Sequence, residues 1–180
     1  TILLDGLTVT NGINTDVGYG GGIYLTPTGS GTVHFITCTI RDNTASNDGG
    51  GIFAFGSSTV VNLITCTISG NNATNGYGGG VYMTGGTLHA QGCSITGNTA
   101  RYGGGMYMEG SVTVTVTTST ISGNFDGFKG GGVAIDSSTV HFITCTISGN
   151  DAGSGGGIYA SGPNTVDLIT CTNFITCTIS

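Results

Sequence analysis

The chain has 180 residues, 36 of them Gly, with 3 Lys+Arg against 9 Asp+Glu and a formal net charge of −6. At 37% hydrophobic and 7% charged it is too apolar for a disordered segment, and too poor in cations to hold a phosphate backbone, which excludes nucleic acid as a partner. No apolar run approaches the roughly 20 residues of a membrane-spanning helix, and the opening "TILLDGLTVTNG" reads as strand rather than leader. The expectation is therefore a soluble chain, either a mature product or an excised segment.

In chain order the sequence repeats itself. A Gly triplet followed by an apolar residue begins at Gly20, Gly49, Gly78, Gly103, Gly130 and Gly155, at intervals of 25 to 29. The centre of a Thr-Cys-Thr-like strand falls at Cys38, Cys66, Cys93, Ser119, Cys145 and Cys171, at intervals of 26 to 28. A repeat so short cannot bury its own apolar face, so neighbours must stack into a solenoid. The predicted architecture is all-β and parallel, about six coils of roughly 26 residues with three strands per coil. It forms one domain over residues 1–180, alone or as a segment of a larger repetitive protein.

The first strand of each repeat follows the Gly triplet. Period-2 alternation sends pairs such as Ile52/Ala54 and Val81/Met83 inward and leaves Tyr24, Phe53, Tyr82, Tyr107, Ala134 and Tyr159 in one outward column. The second strand sends Val33/Phe35 and their equivalents inward, with His34, Asn62, His89, Thr115, His141 and Asp167 outward. The third buries Cys38, Cys66, Cys93, Cys145 and Cys171, with Ser119 replacing Cys in one coil. Each third strand ends at Asn43, Asn71, Asn98, Asn124 or Asn150, where stacked amides form a ladder. The stretches "TASND", "NATNGY", "TARY", "FDGFK" and "DAGS" vary in length and read as loops. One of them carries the sequon Asn72-Ala73-Thr74.

The motifs "LDGLTVTNG" and "CTISGN…GGGIY" resemble the right-handed parallel β-helix repeats of pectate-lyase-like proteins. They are most similar to the "GGGI/SGN" repeats of polymorphic outer-membrane proteins, autotransporter passengers and secreted adhesins. That resemblance implies a right-handed solenoid and a location outside the cell or on its surface; it leaves function open, because this architecture hosts lyases, adhesins and structural rods. The ending "LITCTNFITCTIS" departs from the pattern, repeating "ITCT" after too few residues for a coil.

Several chemistries can be weighed against these columns. Stacked Cys lie nearly a strand spacing apart, farther than the ~3.8 Å between Cβ atoms that a disulfide prefers, so reduced buried thiols are expected. No CxxC pair supplies metal-ligand spacing, and no metal or cofactor is expected. The three His share a column, but intervening Asn62 and Thr115 hold them about two strand spacings apart. A lyase needs clustered Asp for Ca²⁺, whereas Asp16, Asp42, Asp48, Asp126 and Asp151 are scattered over turns. Paired carboxylates for glycoside hydrolysis are likewise not expected at matching positions of adjacent coils.

Two outward surfaces remain. The pairs Thr37/Thr39, Thr65/Thr67, Thr118/Thr120, Thr144/Thr146 and Thr170/Thr172 predict two files of Thr on one flat sheet, which resembles the Thr-x-Thr face of ice-binding solenoids. The column Tyr24, Phe53, Tyr82, Tyr107 and Tyr159 predicts an aromatic stripe for sugar rings or for packing against another rod. The functional expectation is a non-catalytic extracellular or cell-surface rod, an adhesin stalk or fibre subunit. Its partners would be a cell-surface glycan or further copies of itself, end-to-end or lateral. Ice binding is the alternative.

Overall fold

The computed structural model describes residues 1–16, 18–26 and 30–171, together with the short strand Thr178–Ile179. These residues hold no helix, and so none long and apolar enough to cross a membrane. The chain winds through about six turns as a parallel β-helix, each strand pairing with its equivalent one turn on.

A wide sheet stacks Ile2–Asp5, Gly31–Ile36, Thr59–Ile64, Thr87–Gln91, Thr113–Thr117, Thr139–Ile143 and Thr165–Ile169. A short sheet follows with Thr8–Thr10, Thr39–Arg41, Thr67–Ser69, Ser94–Thr96, Thr120–Ser122 and Thr146–Ser148. A turn-side sheet contains Ile13–Asn14, Thr44–Ala45, Asn72–Tyr77, Thr99–Tyr102 and Phe125–Lys129. An aromatic sheet closes each turn with Ile23–Leu25, Ile52–Phe55, Val81–Thr84, Met106–Glu109, Val133–Asp136 and Ile158–Ser161, and Thr178–Ile179 pairs onto its end.

Three strands per coil are therefore corrected to four. The turn-side strands are the segments read as loops. Ala45, Ala73 and Ala100 point inward there, buried and in register from turn to turn. Their length differences are absorbed inside the strand, by a register shift between Ala73 and Tyr77. A bulge conceals the period-2 signal that would have marked a strand.

Corners fall where the backbone adopts positive φ. The turn from wide to short sheet is made by Thr37, Thr65, Gly92, Thr118, Thr144 and Thr170, with φ between 45° and 62°. The Gly triplet makes the turn into the aromatic sheet. Gly78 has φ 64°, and a Cβ on Gly79 would lie 2.4 Å from the carbonyl oxygens of both Gly104 and Thr99.

Inside, Ile40, Ile68, Ile95, Ile121 and Ile147 stack along the short sheet, each at most 1% exposed. The wide and aromatic sheets fill the same core with side chains of mixed size, among them Phe35, Leu63, Ala90 and Phe142 from the first and Ala54, Met83, Met108 and Ala160 from the second.

Candidate functional site

The two buried ladders account for their residues structurally. Each Asn Nδ2 donates to the Oδ1 of the next: Asn43 to Asn71 at 3.0 Å, Asn71 to Asn98 at 2.9 Å, Asn98 to Asn124 at 3.0 Å and Asn124 to Asn150 at 2.9 Å. The same Oδ1 atoms accept the backbone N–H of the preceding Asn, so an otherwise orphaned turn is satisfied without water. Cys38, Cys66, Cys93 and Cys145 are free and buried, and Cys171 is partly exposed. Each thiol lies beside the carbonyl of the preceding coil, as Cys66 Sγ does 3.3 Å from Phe35 O, whereas Ser119 Oγ donates at 2.8 Å to Thr117 O within its own coil. Burial pushes the Cys145 thiol up, away from the reactive thiolate.

The expected Thr face is not one surface. Thr37, Thr65, Thr118, Thr144 and Thr170 sit on the left-handed corner, whereas Thr39, Thr67, Thr120 and Thr146 lie within the short sheet. The positive φ between wide and short sheet turns the first file away from the plane of the second. Thr172 lies outside the described residues, as does Cys177. The His column stands on the wide sheet in register, with His141 Nδ1 2.8 Å from Asp167 Oδ2 in the next coil. Among the described residues no group of three or more His, Cys, Asp or Glu converges as metal ligands do.

The aromatic column is real and larger than its sequence shows. Tyr24 stacks on Phe53 at 5.1 Å between centroids, Phe53 on Tyr82 at 5.1 Å, and Tyr82 on Tyr107 at 5.8 Å, with planes within 17° of parallel. A second column rises beside it from the residues just before the Gly triplets. There Tyr77 stacks on Tyr102 at 5.1 Å and Tyr102 on Phe128 at 5.4 Å, with Arg101 4.8 Å over the Phe128 ring. Tilted contacts lock the columns together, Tyr19 to Phe53 at 5.0 Å and Tyr77 to Tyr107 at 4.6 Å. Phe53 and Tyr82 point away from the core, yet each is only 7% exposed because the second column covers them. The signal for that column was present as Tyr-Gly-Gly-Gly at positions 19, 77 and 102.

Polar groups line this platform. Tyr82 donates its hydroxyl to Glu109 Oε2 at 3.0 Å, and Asp48 Oδ1 accepts the Tyr77 N–H at 2.9 Å. Burial raises the pKa of Asp48, and burial together with the Glu109 charge raises that of the Tyr82 phenol. Lys129 Nζ donates to the Tyr159 hydroxyl at 2.9 Å and lies 4.7 Å from that ring. One expectation is overturned here, because Glu109 and Asp136 are register partners in adjacent coils and both leave the same face. They occupy the next outward position after Tyr107 and Ala134, on the strands of the aromatic sheet rather than in turns. Two clefts open on the face. One, of about 410 Å³, lies over Asp48 and Phe53; the other, of about 220 Å³, lies between Tyr107, Lys129, Ala134 and Tyr159.

A parallel solenoid of stacked coils defines the class of protein. A family model described as "Right handed beta helix region" matches residues 4–176, and the chain belongs to that family. No curated protein and no solved structure matches the chain.

Proposed function

We propose that the chain is a non-catalytic, adhesive rod that holds a glycan through the aromatic face, as a stalk segment of an extracellular or cell-surface repeat protein like the "GGGI/SGN" adhesins it resembles. The observation that carries this reading is the double column of stacked rings, held in register by the coil repeat and edged by hydroxyl, carboxylate and ammonium groups. Because the rings within the column cover one another's faces, the apolar surface offered to a sugar is their outer edges and the half-exposed ring of Tyr24, while the polar groups beside them meet its hydroxyls. Co-sedimentation with insoluble cellulose, chitin and xylan tests it. Wild-type protein is expected in the pellet with no new reducing or unsaturated ends released, and a Tyr24→Ala/Tyr102→Ala/Tyr159→Ala variant in the supernatant. Release of new ends would contradict the non-catalytic reading and turn attention to Glu109 and Asp136. Rods that sediment as oligomers, losing that state in the same variant, would instead make the face a lateral contact between copies.

A second reading, ice binding, is favoured by the short sheet itself. Its outward positions form one file of Thr8, Thr39, Thr67, Ser94, Thr120 and Thr146 and a second of Thr10, Arg41, Ser69, Thr96, Ser122 and Ser148, all in register. Thermal hysteresis abolished by Thr67→Tyr/Thr120→Tyr would support it, and none in the wild type would remove it.

A further inference from the structure

The inward position of the turn-side sheet holds Ala45, Ala73 and Ala100, and in the next coil it holds Asp126, 1% exposed. Ala100 pairs with Asp126 and Tyr102 with Lys129, so the strand Phe125–Lys129 carries one residue more than its partner and bulges at Gly127 and Phe128. Asp126 closes that bulge. Its Oδ1 accepts the N–H of Phe128 and, at 2.7 Å, that of Lys129, while Oδ2 is buried without a partner. The closed bulge sets two side chains on the aromatic face. Phe128 stacks 5.4 Å from Tyr102 with Arg101 over its ring, and Lys129 Nζ donates to the Tyr159 hydroxyl at 2.9 Å. The charged and titratable groups of the neighbouring segments are Lys129 on the same strand, Arg101 and Tyr102 in the preceding coil and Asp151 in the following one. The Gly triplet packed against the strand brings none. Lys129 reaches Tyr159, Arg101 covers Phe128, Tyr102 stacks on Tyr77 and Phe128, and Asp151 is exposed, so no cation answers the buried carboxyl among the described residues.

We propose that Asp126 is a pH-sensitive latch on the aromatic face: neutral, it holds the bulge shut with Phe128 and Lys129 in place; ionised, it lets residues 126–129 open locally and withdraws both from the face. The consequence for binding rests on the adhesive reading above, whereas the latch itself does not. A lone carboxylate inside the core costs more than a neutral carboxyl, and the two N–H bonds to Oδ1 offset only part of that cost. Burial accordingly raises the pKa of Asp126 from 3.8 to about 6. Opening returns the group to water, so the closed form is the one that holds the proton. That advantage is complete below about pH 4, is lost as the pH rises to about 6, and amounts to roughly a hundredfold in the opening constant. Local opening is the inexpensive response. Phe125–Lys129 ends the turn-side sheet, bridged to the following coil only at Phe125 with Asp151 and Lys129 with Ser154, and Gly127, Phe128 and Lys129 are exposed.

Native-state hydrogen exchange between about pH 4 and 8 reads the latch on the intact chain. In the wild type the protection factors of the Phe128, Lys129 and Gly103 amides are expected to fall by roughly a hundredfold up to about pH 6 to 7 and then level off. Gly103 reports because its N–H bonds Lys129 O at 3.1 Å. These amides are expected to exchange faster than that of Asn71 and to ignore sub-denaturing urea, as local opening does. Asp126→Asn, which keeps the Oδ1 acceptor, should make their protection independent of pH. Asp126→Ala, which puts the residue of the three preceding coils at this position, should give low protection at every pH, and it decides the matter should Asp126→Asn misfold. With the polymer that pellets the protein, more wild type is expected to pellet at about pH 4.5 than at about pH 7.5, and equal amounts of Asp126→Asn. A pH dependence that survives both substitutions, or protection that matches Asn71 and falls with urea, would overturn the latch. Pelleting that ignores pH while exchange responds to it would overturn control of the face. Absence of pelleting at any pH would instead count against the adhesive reading, with the exchange data still deciding the latch.

Discussion

Replacing Asn98 by Ala removes the middle rung of the buried amide ladder. Its Oδ1 accepts the Asn71 N–H at 3.0 Å and Asn71 Nδ2 at 2.9 Å, and its Nδ2 donates to Ile68 O at 3.0 Å and Asn124 Oδ1 at 3.0 Å. The Asn124 oxygen keeps the Asn98 N–H, and Asn71 Nδ2 keeps Ile40 O, so the change leaves the Asn71 N–H and one Nδ2 proton without a partner, while the Ile68 carbonyl loses its side-chain donor and keeps its place in the ladder. At about 1 to 3 kcal/mol for each of these two buried groups left unsatisfied, the expected loss is about 2 to 6 kcal/mol. Asn43→Ala, at the end of the ladder, frees only the Gly12 N–H and the Val9 carbonyl, both partly exposed, and is expected to cost about 1 to 2 kcal/mol. Urea unfolding followed by far-ultraviolet circular dichroism gives both values, and hydrogen exchange at Asn71 and Thr99 locates the damage. A loss below about 1 kcal/mol for Asn98→Ala, or no difference between the two variants, would refute the reasoning.

Asp126 gives a pH dependence. It stands in the column of Ala45, Ala73 and Ala100 at 1% exposure, with Oδ1 bonded to the Phe128 and Lys129 N–H groups and Oδ2 without a partner. Burial raises its pKa from 3.8 to about 6. The folded state thus holds a proton that the unfolded state gives up, and the associated stability, roughly 3 kcal/mol, is present below about pH 4 and lost as the pH rises through 6. Asp126→Asn should flatten that slope in melting experiments from pH 4 to 8, and an unchanged slope would place its origin elsewhere. Thiol labelling of the native protein followed by peptide mapping should modify Cys171 and spare Cys66 and Cys145 until urea unfolds the chain; rapid labelling of Cys66 would contradict its burial. Gly79→Ala should prevent stable folding, because its Cβ would meet backbone on two sides, and a well-folded variant would disprove that packing.

The core was legible because alternation is strict where the strand is regular, as in Val61/Leu63 or Ile52/Ala54, and because Asn and Cys recur at single fixed positions of the coil. Two things were hidden. The turn-side sheet was masked by bulges, and the corner at Thr37 or Thr65 by the rarity of Thr at positive φ, which made two facets look like one flat face. Half of the candidate site was visible as the Tyr24 to Tyr159 column. The rest depends on which residues flank it across the Gly corner, since Tyr77 and Lys129 reach the same surface from a different strand. The Glu109 and Asp136 pairing follows from the same alternation, two residues beyond Tyr107 and Ala134 in a column already legible after the Gly triplets.

The most direct test of the account is a map of where a glycan touches the rod. In ¹⁵N-labelled protein titrated with a soluble oligosaccharide of the polymer that pellets it, shifts are predicted at Tyr24, Tyr102, Tyr107 and Tyr159, with the short-sheet residues Thr67, Thr120 and Thr146 unmoved. Shifts confined to the short sheet, or none on the aromatic face at saturating ligand, would contradict it.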